Sequence, residues 1–225
     1  MKSIFLSALL IAPLAAAPEG FTNLFNGKDF KGWWGAATEN PVKYLALPPT
    51  QLEQKKKQSL HDIYKHWSVK NGIIHNDGHG LFLTTEKNYA DFELQLEYKL
   101  DPKADSGIYL RGVPQVQIWD TTEETSVSLK HGAAKGSGGL WNNPKGTAGR
   151  EPLVHADQPI GEWNKMMVKL VGENVTIILN GKTVVDHAKL FNYFDKKGSL
   201  PKEGPIQLQT HGAPMQWRNL FIKEL

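Results

Sequence analysis

Between Ser106 and Asp120 the segment SGIYLRGVPQVQIWD sets planar polar and aromatic side chains on one side of two alternating runs. Tyr109 and Arg111 alternate with Ile108 and Leu110; after Gly112-Val113-Pro114, the residues Gln115, Gln117 and Trp119 alternate with Val116 and Ile118. Period two is the geometry of a strand, so the segment reads as a hairpin that turns at Gly-Val-Pro. An ordinary solvent face carries Lys, Glu, Thr and Ser. Amides, a guanidinium, a phenol and an indole instead supply the donors, acceptors and stacking surfaces that hold polyhydroxylated ligands, the plain alternative being an exposed sheet face.

Other segments offer groups for acid-base work. In GPIQLQTHG, residues 204–212, Gln207, Gln209 and His211 share one parity. His211 stands at a strand end, where an imidazole can act as base, acid or metal ligand, although a lone histidine is also an ordinary structural residue. In FELQLEYK, residues 92–99, one face carries Glu93, Gln95, Glu97 and Lys99; sharing a sheet with Arg111 and Gln117 would set Glu97 beside an arginine. Asp120 is a further carboxylate, on the apolar parity of its strand. Of seven tryptophans, Trp119 and Trp141 are the candidate sugar platforms and the rest are assigned mainly to the core.

These side chains need a β scaffold. Short alternating runs separated by Gly, Asn and Asp predict strands near 66–70, 73–76, 81–84, 91–99, 106–111, 115–119, 164–171, 174–179, 183–185, 204–210 and 215–224, the pattern of an all-β antiparallel sandwich or barrel. Asn180-Gly181 marks a tight turn of type I′. The segment PTQLEQKKKQSLHDIYKHW, from residue 49, breaks the pattern and predicts a helix over about 50–64, an insertion spanning roughly 49–66. Residues 135–159, rich in Gly, Asn and Pro, form a long loop of the kind that carries function.

Composition narrows the chemistry. The chain has 225 residues, 40% hydrophobic and 22% charged, and no cysteine, which excludes disulfides, a thiolate nucleophile and Cys-ligated zinc. The formal charge of +3 is scattered, so nucleic acid is not an expected partner. No G-x-S-x-G elbow, phosphate loop or Rossmann fingerprint is present. Residues 1–17 read as a signal peptide, with Lys2, an apolar run from Ile4 to Leu14 and Ala15-Ala16-Ala17, so the expected location is periplasmic or extracellular and the mature chain is 18–225. That run is too short to span a bilayer, and no membrane insertion is expected.

Phe21–Trp33 (FTNLFNGKDFKGW), Trp67–Gly72, Ser106–Arg111, Gln115–Asp120, Gly161–Asn164, Leu179–Gly181, Gly204–Gly212 and Arg218–Leu220 follow one another in an order that resembles the 3-keto-disaccharide hydrolase domain family. The resemblance covers nearly all of the mature chain. It implies a single concanavalin A-like jelly roll bearing one surface helix, and action on 3-keto-glycosides, as hydrolase or lyase, by C2 proton abstraction and elimination followed by hydration. On that reading His211 is base or metal ligand, Arg111 the enolate stabiliser, Glu97 or Asp120 the acid or the holder of a divalent metal ion, and Tyr109, Gln115, Gln117, Trp119, Trp141 and Gln209 bind substrate. Many members carry Tyr-Glu-Val-Gln where this chain has Pro114-Gln115-Val116-Gln117, and others carry Glu before Asn-Tyr where it has Phe191-Asn192-Tyr193. Both differences remove acid-base capacity, so a non-catalytic carbohydrate-binding module of the same fold stands as the alternative.

Overall fold

The computed structural model describes residues 15–122 and 127–225; most of the expected signal peptide lies outside them. The chain forms an antiparallel β-sandwich of jelly-roll type. β1 (Thr22–Asn23) and β2 (Trp33–Ala36) lead into two helices, α1 (Pro41–Leu45) and α2 (Pro49–His66). After them come β3 (Trp67–Lys70), β4 (Ile73–Asn76), β5 (Phe82–Thr85), β6 (Phe92–Leu100), β7 (Asp105–Leu110) and β8 (Val113–Trp119). Beyond the long loop follow β9 (Trp163–Val171), β10 (Asn174–Leu179), β11 (Lys182–Lys189), β12 (Gln207–Leu208) and β13 (Met215–Glu224). One sheet runs β11-β10-β9-β6-β13-β4-β3, with β1 also on β13; the other runs β2-β5-β12-β7-β8.

Alternation explains the layering. Along β6 the residues Phe92, Leu94, Leu96, Tyr98 and Leu100 are buried and the intervening ones are not. They meet Leu83, Ile108, Val116, Ile118 and Leu208 of the smaller sheet in one continuous core. α2 starts on Pro49, whose missing N–H suits the first helical turn, and sends Ile63 into that core beside β2. The edge strand of the smaller sheet, β2, and the short α1 were not evident from sequence; α1 is capped by the Asn40 side chain and packs Tyr44 in a T-shaped contact with Trp34. Among the described residues no helix is long and apolar enough to cross a membrane.

The hairpin turns one step earlier than Gly-Val-Pro. Leu110 pairs with Val113, and the turn is Arg111-Gly112, both at positive φ (54° and 72°). Two successive left-handed residues make a turn whose twist matches the strands, with Val113 and Pro114 inside β8. Pro114 is accommodated beside a register shift between Ile108 and Leu110, where the ladder is already interrupted.

Candidate functional site

The register of the smaller sheet gathers the polar groups on the face turned away from the core. Asp105 lies opposite Trp119, Gly107 opposite Gln117, and Gln207 opposite both Tyr109 and Thr84. This is no ordinary solvent face: relative exposure is 3% for Tyr109, 6% for Gln115, 2% for Gln117, 4% for Trp119 and 8% for Gln209. Part of the cover comes from the long loop, which runs along the open edge of β8. Gly138 N–H donates to the Gln117 carbonyl at 2.7 Å, Gln117 N–H donates to the Gly139 carbonyl at 2.8 Å, and the Trp119 indole donates to the Gly136 carbonyl at 3.0 Å. The loop therefore acts as an irregular extra strand that satisfies an edge.

Inside this shelter a chain of hydrogen bonds ends on a histidine. Gln115 Nε2 donates to Gln117 Oε1, and Gln117 Nε2 donates to Asp105 Oδ1 at 2.7 Å and to the Ser106 carbonyl at 3.0 Å. The other carboxylate oxygen, Asp105 Oδ2, stands 3.3 Å from His211 Nδ1. The hydrogen bond to Asp105 raises the His211 pKa above its usual value, burial works against it, and the Asp105 charge adds to the rise. The imidazole is 65% exposed, so its far edge is open to a ligand. With Nδ1–H directed at the carboxylate, Nε2 carries the free lone pair.

Gly107 lets the amides converge. A Cβ there would stand 2.8 Å from the Val116 carbonyl oxygen and 3.1 Å from both Gln115 Cδ and Gln209 Oε1, so only hydrogen leaves room for the two side chains to meet over this residue. Gln207 Oε1 and Gln209 Oε1 are buried acceptors with no donor among the described residues. Burial pushes the Tyr109 hydroxyl up to about 12, its bond to Thr38 Oγ1 at 3.0 Å opposing the shift, so at neutral pH Tyr109 is an uncharged donor or acceptor and not a phenolate. Tyr193, 43% exposed, lies near enough to act on Tyr109 electrostatically.

The structure brings together Tyr109, Gln115, Gln117, Trp119, Gln209 and His211, and it places the other expected residues elsewhere. Arg111 does not share the amide face: positive φ in the turn swings it away, and its guanidinium donates to the Ala90 carbonyl, the Pro201 carbonyl and Asp91 Oδ1 at 2.8, 2.9 and 2.7 Å. Glu97 does not sit beside Arg111, because β6 belongs to the other sheet, where Glu97 accepts from Arg218 Nε at 2.7 Å and Asn219 Nδ2 at 3.0 Å. Asp120, 2% exposed, accepts from the Lys103 and Thr122 backbone N–H groups, both at 2.8 Å, and so holds the ends of two loops. Trp141 stands edge-on to Trp119 at 6.2 Å, beside the amide face rather than on it.

Asp105, Gly107 and Tyr193 were not singled out by sequence. Asp105 and Gly107 were within reach, because they continue the parity of Tyr109 by steps of two. Among the described residues no three His, Asp or Glu side chains surround one point, and the hydrogen-bond neighbour of Asp105 on the amide face is Gln117.

The model of the 3-keto-alpha-glucoside-1,2-lyase-like domain matches residues 20–223. A 3-keto-disaccharide hydrolase of Bacteroides thetaiotaomicron is 21% identical over 276 aligned positions, covering 100% of this chain and 85% of that protein. Two crystal structures from Parabacteroides distasonis, each described as a candidate glycosyl hydrolase, share the fold. The first has a TM-score of 0.60 at 22% identity and covers 92% of this chain and 94% of its own. The second has a TM-score of 0.53 at 23% identity and covers 72% and 91%.

Proposed function

This chain belongs to the 3-keto-alpha-glucoside-1,2-lyase-like domain family, and from that premise we propose that its amide-lined face cleaves 3-keto-glycosides with His211 as the base. The observation that carries the reading is the Asp105–His211 pair at the open end of a buried amide chain. A ketone at C3 acidifies the C2 proton. His211 Nε2 takes that proton, the C2–H electron pair becomes the C1–C2 double bond, and the C1–O bond breaks to release the aglycone oxygen. The leaving oxygen takes a proton from the imidazolium or from water, leaving an enone. Addition of water across that double bond, OH to C1 and H to C2, completes a net hydrolysis; release before addition makes the protein a lyase.

Asp105 supports the base in two ways: it fixes the tautomer that frees Nε2 and it stabilises the imidazolium that forms. The developing enolate needs a donor, and with Arg111 engaged elsewhere the Tyr109 hydroxyl and the second N–H of Gln115 take that part. Buried Gln207 Oε1 and Gln209 Oε1 suit sugar hydroxyl donors, since an unmet buried acceptor costs about 1–3 kcal/mol. Export through residues 1–17 belongs to the same proposal, and N-terminal sequencing of protein recovered outside the cytoplasm checks it.

The amide at Gln115 favours a second reading, a binding module that holds the sugar without chemistry. Incubation of the purified protein with a 3-keto-glucoside separates the two. Aglycone release supports the enzyme; binding without release supports the module.

A further inference from the structure

Beside the amide face lies a cavity of about 330 Å³, whose wall is shared with the proposed site through Gln117 and Trp119. Among four glycines, the remaining lining presents the side chains of Trp141, Lys130, Lys145 and Arg150. Arg150 is engaged already: it donates to the Trp141 and Asn143 carbonyls and lies 5.1 Å from the Trp141 ring centroid, fixing that indole in place. The acid in the lining, Glu151, is paired with Lys135. Lys130 and Lys145 have no acidic partner among the described residues. The cavity thus joins an indole wall to two ammonium groups that have no acidic partner among the described residues, immediately next to the amide face at Gln117 and Trp119.

We propose that this cavity receives the leaving portion of the substrate and selects a ring that bears a carboxylate, a uronic acid or an aromatic acid. The inference rests on the 3-keto-glycoside reading above. Trp141, with the Arg150 guanidinium over its ring and T-shaped contacts to Trp119 and His131, supplies the apolar surface for the ring. Lys130 and Lys145 supply the charge. A neutral disaccharide gains only the first contact.

The test compares 4-carboxyphenyl with phenyl α-glucoside, and glucuronic acid with glucose, by calorimetry on the mature protein. Two partly exposed ion pairs predict a preference of roughly tenfold for each anionic probe. The preference is expected to collapse in the Lys130→Ala/Lys145→Ala double variant, and in the parent above about 0.5 M salt, where screening shortens the reach of charge. A preference for the aromatic acid alone, or for the uronic acid alone, supports the subsite and identifies its ligand. Equal binding within each pair, no binding of any probe, or a preference untouched by both salt and the double variant overturns it. Turnover of phenyl 3-keto-glucoside is measured in parallel: turnover without anion preference sinks the subsite alone, and anion preference without turnover sinks the catalytic reading alone.

Discussion

Asp105→Asn isolates the carboxylate from its shape. Asp105 serves two donors at once, Gln117 Nε2 through Oδ1 at 2.7 Å and His211 Nδ1 across 3.3 Å through Oδ2. An asparagine has one acceptor oxygen, so whichever donor it keeps, the other faces an NH₂ group. The charge that raises the His211 pKa disappears, and the hydrogen bond that raises it is either lost or reduced to one with a neutral acceptor, while burial, which lowers it, remains. The imidazole pKa should therefore fall to the ordinary value near 6.5 or below it, and the acid limb of the rate profile should move to lower pH with it. Loss of the fixed tautomer should lower the plateau rate about tenfold to a hundredfold, or roughly 1.4–2.7 kcal/mol of barrier. The sign for stability follows from the raised value: the folded state favours the imidazolium, so Asp105 stabilises fully below about pH 6.5 and loses that part as pH climbs through the higher folded pKa. The variant's melting deficit should be larger near pH 6 than near pH 9. NMR titration of the His211 ring and a pH-rate profile make the measurement. An unchanged His211 pKa, or an unchanged plateau with an unmoved acid limb, refutes the reasoning.

Gly107→Ala places a methyl 2.8 Å from the Val116 carbonyl and against both flanking glutamines; it should cost about 1–3 kcal/mol of stability and raise KM, read by calorimetry and steady-state kinetics. Arg111→Ala removes the charged partner of Asp91, which keeps only the Gly172 N–H at 2.9 Å, and the side-chain donor of two carbonyls. A loss of about 3 kcal/mol, the low end for a broken buried pair because Asp91 is 37% exposed, should lower Tm by about 6–12 °C in a thermal scan. Glu97→Gln alters a carboxylate on the opposite sheet, so the rate should stay within about twofold of the parent; a loss above tenfold would return Glu97 to the chemistry.

The paired alternations of 106–110 and 115–119 carried the site because period two is a local property, readable without knowing which strands pair. His211 fell on the right side for the same reason: Gln209 N–H still bonds to the Gly107 carbonyl at 2.9 Å, holding the chain in register beyond β12. Arg111 had the right parity and the wrong place, because parity ends at the turn, and the turn took Arg111-Gly112 in left-handed conformation in place of the proline step. Glu97 failed at longer range. Its alternation was sound, but which sheet β6 joins is decided by pairing with β9 and β13, more than sixty residues downstream. Trp141 was found by its residue type in a Gly-rich loop, while the way that loop zips along β8 has no local signature.

The central claim is that His211 removes the C2 proton of a 3-keto-glycoside. Parent and His211→Ala proteins incubated with phenyl 3-keto-α-glucoside in D₂O, with phenol release and C2 deuteration followed by NMR, test it directly. The parent should release phenol and incorporate deuterium at C2 of the sugar product, and the variant should lose turnover by about a hundredfold to ten-thousandfold. Phenol release by the variant at the parent rate would contradict the account.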